Sequence, residues 1–204
     1  MFPLLVPQLQ CAIYAAVLLL SCPVRANTPN PLSVPPSTSW YGDDGQWSAV
    51  SIRVGTPQQW MDVMVSTASA ETWVVPTSGC DNTTVCSQDR GGLFNSSASS
   101  SWEDYGNYLM GTDMDLGVTS YADYGLDILE YSTEGTQVPK SIIGQVTSTA
   151  LWLGSLGVGV VPGSFNDTTA YGPIGDLANS GTIPSKSYGY TAGAVYRKLH
   201  KFPN

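Results

Sequence analysis

Residues 47–76 read WSAVSIRVGTPQQWMDVMVSTASAETWVVP, and this stretch decides the fold class. Apolar side chains occupy every second position from 50 to 54 and again from 61 to 65, on either side of a turn at Gly55-Thr56-Pro57. Because successive side chains of a β-strand point to opposite faces, this period of two predicts a hairpin with one buried face. We expect a turn at Ser66–Ala70 and a third strand around Thr72–Pro76 to follow.

The remainder of the chain contains shorter strand-like segments separated by turn residues, at 105–116, 124–131 and 138–147. The apolar run at 151–161, LWLGSLGVGVV, contains three glycines and predicts a buried strand with a tight turn. Residues 174–180 are compatible with one short helix. Most of the six tryptophans occupy strand positions that favour burial. Many short strands with turn signals between them indicate an all-β domain.

The composition excludes some classes of function. Charged residues make up 12% of the 204-residue chain, which is about half the usual share for a soluble domain. Eight Lys and Arg against 16 Asp and Glu give a net charge of −8, which argues against a nucleic-acid partner because phosphate binding needs clustered cations. No apolar run reaches the ~18 residues that a membrane-spanning helix needs, so no transmembrane segment is predicted.

Residues 1–26 have the features of a signal peptide. A short apolar core, AIYAAVLLL, precedes Val24-Arg25-Ala26, which supplies the small residues that signal peptidase recognises. The segment before this core carries no positive charge, so an uncleaved hydrophobic N-terminus is the alternative. We predict a protein that is secreted or at the cell surface. Its expected parts are a signal peptide at 1–26, a Pro-rich leader at 27–44 that forms a linker or exposed arm, a β-domain at 45–197 and a tail at 198–204.

Cys80 and Cys86 are the two cysteines that remain after the signal peptide is removed. An even pair in an oxidising compartment predicts one disulfide that closes a small loop. A metal site would need further ligands nearby, and the single histidine, His200, lies in the tail, so we expect neither a metal nor a cofactor. Sequons in turn-rich stretches predict glycosylation at Asn82, Asn95 and Asn166.

Several segments together resemble a pepsin-family aspartic peptidase. Val54–Gln59 (VGTPQQ), Val63–Ser69 (VMVSTAS) and Trp73–Pro76 (WVVP) are similar to the family's opening motifs IGTPPQ, FDTGSS and LWVP. Gly154–Gly159 (GSLGVG) resembles the apolar strand DGILGLG behind the family's catalytic turn, and residues 187–197 resemble a segment of secreted and cell-surface fungal members. The resemblance covers about 45–197 and implies one lobe of the bilobal pepsin-like acid protease fold.

Ser66 is the first departure from the family pattern, because it occupies the position of the catalytic Asp, and Ala68 occupies that of the following Gly. Aspartic peptidases use two facing carboxylates that share one proton, so that one is a general base and the other a general acid. A serine hydroxyl stays protonated and cannot take this role. The resemblance therefore implies no catalytic residue at this position.

The second departure concerns the other lobe of the family fold. No Asp-Thr-Gly or Asp-Ser-Gly triplet occurs in the 204 residues, and we expect the chain to supply a single lobe. A homodimer would place two serines at the dyad. The stretch 116–131 resembles the family's flap hairpin at Asp123–Asp127, and Tyr121 is a candidate for the flap tyrosine.

Other chemistries fit the residues less well. Ser66 as a nucleophile would need a base, and the only histidine follows the domain pattern. Asp43-Asp44 and Asp113-Met114-Asp115 would suit a divalent metal or a glycosidase acid pair, but no third ligand or partner is fixed by spacing, and exposed carboxylates are the simpler interpretation. The glycines of 154–159 lack the order of a nucleotide-binding loop.

We therefore predict an aspartic-peptidase-like protein without catalytic activity. One alternative is a truncated product of a true aspartic endopeptidase, and another is a sugar-binding β-sandwich. A lone lobe leaves apolar strand surface uncovered, so a peptide or protein partner on the cleft face, or self-association, is expected.

Overall fold

The computed structural model describes residues 31–81, 83–110, 120–131, 135–165 and 168–193. Within these ranges, strands dominate and two short helices accompany them. The strands are β1 Pro36–Tyr41, β2 Trp47–Val54, β3 Gln59–Ser66, β4 Thr72–Val74, β5 Glu103–Leu109, β6 Tyr121–Glu130, β7 Gln137–Gln145, β8 Gly154–Gly157, β9 Gly163–Phe165 and β10 Thr168–Ala170. The helices are α1 Thr84–Asp89 and α2 Pro173–Asn179. Single 3-10 turns lie at Thr77–Gly79 and Ser96–Ala98.

Eight of these strands form one mixed sheet in the order β1-β2-β3-β8-β4-β7-β6-β5, with an additional pairing of β2 with β6. The predicted hairpin is confirmed, because Val50 pairs with Val63 and Ile52 with Met61 across antiparallel strands β2 and β3. These alternate side chains are buried in the main core, as the period of two requires. The protein therefore has the all-β architecture of one pepsin-like lobe.

Strand β8 lies between β3 and β4, although the chain reaches it about 80 residues later. It runs parallel to β3 over four residue pairs and pairs with β4 through Ser155 and Trp73. The expected buried strand at 151–161 is confirmed for Gly154–Gly157 and wrong for its end, since Val161 is 75% exposed. After Gly157, the amide of Val158 still bonds to the end of β3 at Ser66, and the amide of Gly159 bonds to Ser69 in the turn that follows β3.

The segment 27–44 was expected to be a linker or exposed arm, and this does not hold for Pro36–Tyr41, which form β1 at the sheet edge. Hydroxyl groups attach this strand to the sheet: Ser37 Oγ and Tyr41 OH both donate to Asp62 Oδ2 at 2.5 Å. Proline is tolerated in an edge strand because no neighbour there requires its missing N–H. The apolar pattern of the sequence contains no trace of these polar contacts.

The remaining expected elements agree with the structure where it describes them. Strand β5 covers the beginning of the expected strand at 105–116, and residues 111–119 of that segment lie outside the described residues. Strands β6 and β7 match the segments at 124–131 and 138–147, and α2 matches the predicted helix. Among the described residues, no helix has the length and apolarity to cross a membrane.

Candidate active-site turn

Ser66 is the last residue of β3, and its backbone is fixed from the neighbouring strand. It pairs in parallel register with Gly157 of β8, and the amide of Val158 donates to the Ser66 carbonyl oxygen at 2.8 Å. The side chain is half-buried, at the point where the strand opens into the turn. The pairing of β3 with β8 thus brings together two of the segments on which the family resemblance rests, 63–69 and 154–159.

The turn after Ser66 is held by a short series of hydrogen bonds. Gly159 N donates to the Ser69 carbonyl oxygen at 2.9 Å, and Glu71 N donates to Ser69 Oγ at 2.8 Å. Thr67 and Ala68, between these anchors, are exposed. The structure therefore presents the tip of this turn to solvent while both of its ends are fixed.

Glycines allow the backbones around the turn to approach one another closely. A Cβ on Gly157 would lie 2.4 Å from the Glu71 carbonyl oxygen, and a Cβ on Gly172 would lie 2.4 Å from the Ala70 carbonyl oxygen. Both neighbours are backbone atoms, which cannot move aside as a flexible side chain does. Packing therefore requires glycine at both positions.

The turn contains hydroxyl groups and no carboxyl group, because residues 66–70 read STASA. Within the described residues, Ser66 Oγ has no hydrogen-bond partner that could take its proton. A serine hydroxyl without a base is a weak nucleophile at neutral or acidic pH. Within the described residues, this turn therefore presents a hydroxyl group with no neighbouring base.

The preceding turn at Gly55-Thr56-Pro57 is anchored by a buried carboxylate that sequence reasoning missed. Asp127 accepts hydrogen bonds from Ser99 Oγ at 2.8 Å and Ser101 Oγ at 2.6 Å. These serines also bind Thr56, since its amide donates to Ser99 Oγ at 3.0 Å and its hydroxyl is hydrogen-bonded to Ser101 Oγ at 2.8 Å. The Ile128 amide donates to the same carboxylate at 2.8 Å, and these contacts indicate a structural role for Asp127.

The hairpin of β5 and β6 contains the flap candidate. Tyr121 is the first residue of β6, lies opposite Leu109 and is 61% exposed. Tyr108 and Tyr124 of the same hairpin pack edge to face, with ring centroids 6.3 Å apart. The part of the hairpin between residues 110 and 120 lies outside the described residues. The role of Tyr121 as a flap tyrosine stays a prediction.

The predicted disulfide is confirmed, because Cys80 and Cys86 are bonded with their Cα atoms 5.8 Å apart. Thr83 is the N-cap residue of α1 within this loop. Its hydroxyl accepts a hydrogen bond from the Cys86 amide at 3.2 Å. Of the expected glycosylation sites, Asn95 is exposed at the start of a 3-10 turn. Asn82 and Asn166 lie outside the described residues.

Arg90, directly after α1, is the main structural residue that the sequence did not reveal. Its side chain is buried, and its guanidinium donates only to backbone carbonyls, which include Gly79 at 2.7 Å and Trp152, Ser148 and Leu151 at 2.9 Å each. Burial lowers the pKa of this guanidinium. It joins the disulfide loop to the loop before β8, and only an unusually well-satisfied cation can be buried in this way.

The expectation that most tryptophans are buried is wrong. Only Trp73 is fully buried within the described chain, whereas Trp60 is 59% exposed and Trp47 is 37% exposed. Trp60 lies on the outer face of the hairpin, where the Arg53 guanidinium stacks on its ring at 4.8 Å. Trp47 begins β2, and its ring packs against Gly42 in the turn that follows β1. Strand position alone did not distinguish the covered face from the open one.

The comparison with known families agrees with this geometry. The family model for eukaryotic aspartyl protease matches residues 48–190, well over half of the chain. No curated protein matches the chain significantly. The chain belongs to the eukaryotic aspartyl protease family, and its sheet is one lobe of the pepsin fold. The alternative of a sugar-binding protein required a β-sandwich, and this fold does not support it.

Proposed function

We propose that this protein is an aspartic-peptidase-like protein without peptidase activity, which binds peptide on the face that carries the Ser66 turn. The observation that carries the proposal is Ser66 at the end of β3, where the family pattern requires a carboxylate. The backbone around it keeps the pairing with β8 and the anchored turn. The scaffold of the family site is thus present, and its acid–base group is missing.

The loss of catalytic rate is large because peptide hydrolysis by this family depends on the carboxylate. Two carboxylates in contact share one proton, so that one accepts a proton from water while the other protonates the scissile carbonyl oxygen. Removal of a general acid or base costs roughly 10²–10⁴ in rate for each group. A further lobe would not restore the activity, since even a complete second lobe would supply only one of the two groups.

Apolar residues beside the turn support a peptide-binding role. Val160 and Val161 follow the Gly159 amide that bonds to Ser69, and both are exposed. Tyr171 is also exposed and precedes Gly172, which lies against Ala70. Exposed apolar side chains grouped at a turn are a common feature of interaction sites. The same surface would also support self-association of two copies.

Export is part of the proposal. The Cys80–Cys86 disulfide is of the kind that forms in an oxidising compartment, and the exposed Asn95 sequon is accessible to a glycan. Residues 1–26 supply the signal sequence that this route needs. Expression of the full chain in a secreting eukaryotic cell should deliver protein to the medium whose mass falls on treatment with an N-glycosidase.

The activity part is tested with the secreted protein and a general protein substrate at pH 3–5, where a carboxylate dyad shares its proton. We expect no cleavage above the buffer blank. Cleavage that pepstatin blocks would refute the proposal. The binding part is tested separately, by titration of an unlabelled apolar peptide into native protein and into Val161→Ser, which should bind it more weakly.

A further inference from the structure

A concave surface lies beside the hairpin of β1 and β2. It is a groove of about 970 Å³ between the β1–β2 hairpin, the end of α1 and the loop before β8. Three tryptophans line it: Trp40, Trp47 and Trp152. None of residues 66–70 lines it, so the groove is distinct from the turn described above.

The aromatic walls are held in place rather than loosely attached. The Trp152 indole N–H donates to the Asp89 carbonyl oxygen at 2.8 Å, and the Arg90 guanidinium lies over its ring at 5.4 Å. The Trp47 ring packs against Gly42 so closely that a Cβ there would lie 2.5 Å from the ring. A preorganised aromatic surface loses little conformational entropy when a ligand binds.

Carboxylates give the groove its charge. Asp43 and Asp89 line it and are exposed, and neither makes an ion pair with another described residue. Tyr41, a third lining residue, donates its hydroxyl to Asp62 at 2.5 Å, so a further carboxylate lies directly behind the wall. Burial together with this hydrogen bond raises the pKa of Tyr41 to about 12.

In the part of the chain that the structure describes, these carboxylates have no cationic partner within the groove. Among the described residues, no lysine or arginine lines it, and Arg90 behind Trp152 directs its N–H groups to backbone carbonyls. The whole chain is also acidic, with a net charge of −8. The groove therefore combines indole faces with unpaired negative charge.

We infer that this groove binds the positively charged side chain of a basic peptide, an arginine or a lysine. A guanidinium or ammonium group is attracted to the face of an indole ring and pairs with a nearby carboxylate. Arginine fits best because its planar group stacks on an aromatic ring while its edge bonds to a carboxylate. The inference does not depend on whether the Ser66 turn is inactive.

The experiment uses the full secreted chain and tryptophan fluorescence. The probe is a short capped peptide with three central arginines, and its matched control carries citrulline, which has the same shape without the charge. A capped trilysine peptide and a neutral glucan hexasaccharide complete the set. Because the segment 194–204 carries its own cations, each titration is repeated with a chain in which Arg197, Lys198 and Lys201 are changed to Ser.

We expect saturable binding of the arginine peptide. The affinity should fall as sodium chloride is raised from 20 to 300 mM, because salt screens exposed charge pairs. Asp43→Asn and Asp89→Asn should each weaken binding about threefold to tenfold, and Trp47→Ala about tenfold. Trp60→Ala and Asp104→Asn change the same residue types outside the groove and should leave binding unchanged. Near-identical melting temperatures establish that the variants are folded.

Three outcomes would overturn the inference. One is equal binding of the citrulline and arginine peptides, which would show that charge plays no part. Another is binding of the hexasaccharide with no binding of either basic peptide, which would assign the groove to a neutral sugar. The third is loss of binding in Trp60→Ala equal to that in Trp47→Ala, which would place the peptide elsewhere.

Discussion

Ser66 and Gly157 lie opposite one another in the parallel pairing of β3 with β8, and the next amide along β8 donates to the Ser66 carbonyl oxygen. The position of the serine is therefore set by the backbone of a distant segment and not by the serine side chain. We propose that the chain retains the framework of the family's catalytic turn without its acid–base group. Substitutions at Ser66 should accordingly leave the fold intact.

Ser66→Asp tests whether the framework alone can be reactivated. We expect the variant to fold and to remain inactive at pH 3–5, since one carboxylate cannot supply both the acid and the base. The measurement is cleavage of a fluorogenic peptide over a range of enzyme concentrations. Activity that rises with the square of concentration would instead indicate a site built from two copies.

Gly157→Ala should destabilise the lobe strongly, because its Cβ would lie 2.4 Å from the Glu71 carbonyl oxygen and 2.5 Å from the Ala70 carbonyl carbon. We expect a loss of about 2–4 kcal/mol in the free energy of unfolding, measured by urea denaturation. Gly189→Ala is the matched control, since a Cβ there meets nothing within 4 Å. An equal loss in the two variants would show that the close packing behind the turn is not the cause.

Arg90→Met should cost about 3–5 kcal/mol in the free energy of unfolding, because it leaves several buried carbonyl oxygens without a donor. Lys140→Met removes a cation from an exposed pair with Glu103 and should cost less than about 1 kcal/mol. Urea denaturation of the two variants checks the contrast. If Arg90→Met were as stable as Lys140→Met, its contacts with the loop before β8 would not hold the structure together.

Loss of the disulfide should have a smaller effect. The Cys80–Cys86 bridge closes a short loop, so the double change to Ser should cost on the order of 2 kcal/mol, measured by the same denaturation. Thiol titration of the non-reduced, denatured native protein should find neither cysteine free. Two free thiols in that assay would contradict the assignment.

Asp176 should make the stability of the folded protein depend on pH. Burial raises the pKa of this carboxyl to about 6 from an ordinary value of 3.8, so the folded state binds the proton more tightly than the unfolded state. Its contribution to stability is therefore fully present below about pH 4 and is lost as the pH rises through 6. Because the group is partly exposed, we expect an effect on the order of 1 kcal/mol, reduced from the ~3 kcal/mol of the full shift.

The measurement is the difference in melting temperature between native protein and Asp176→Asn from pH 4 to pH 7. The variant should become the more stable of the two as the pH rises. Asn179→Ala, at the exposed end of the same helix, should show a difference from native protein that does not change with pH. A flat difference for Asp176→Asn would contradict the shifted pKa.

The parts of the fold that sequence predicted are the ones that local pattern determines. The β2–β3 hairpin follows from alternating apolar residues, and the bridge of Cys80 to Cys86 follows from their being the two cysteines left in an exported chain. Strand β1 was missed because it is attached through Asp62, whose hydroxyl partners come from 11 to 25 residues away. Such polar contacts leave no periodic signal in a sequence.

The candidate site, too, was predicted only in part from the sequence. The position of Ser66 could be read from its motif. The partner strand, about 90 residues later, was predicted from its apolar run, whereas its place behind the turn came only from the family resemblance. The aromatic groove was not predicted, because the exposure of Trp47 depends on where the sheet ends. Arg90 belongs to no recognisable motif. Because arginine is rarely fully buried, the burial of Arg90 could not be predicted from the sequence.

Mass spectrometry of a long digestion shows whether Ser66 leaves the turn without catalytic activity. Native protein and Ser66→Ala are incubated with the same denatured substrate at pH 4, with and without pepstatin, and new termini are counted. The account predicts the same background for both proteins and no effect of pepstatin. Cleavages made by the native protein, absent from Ser66→Ala and blocked by pepstatin, would contradict it.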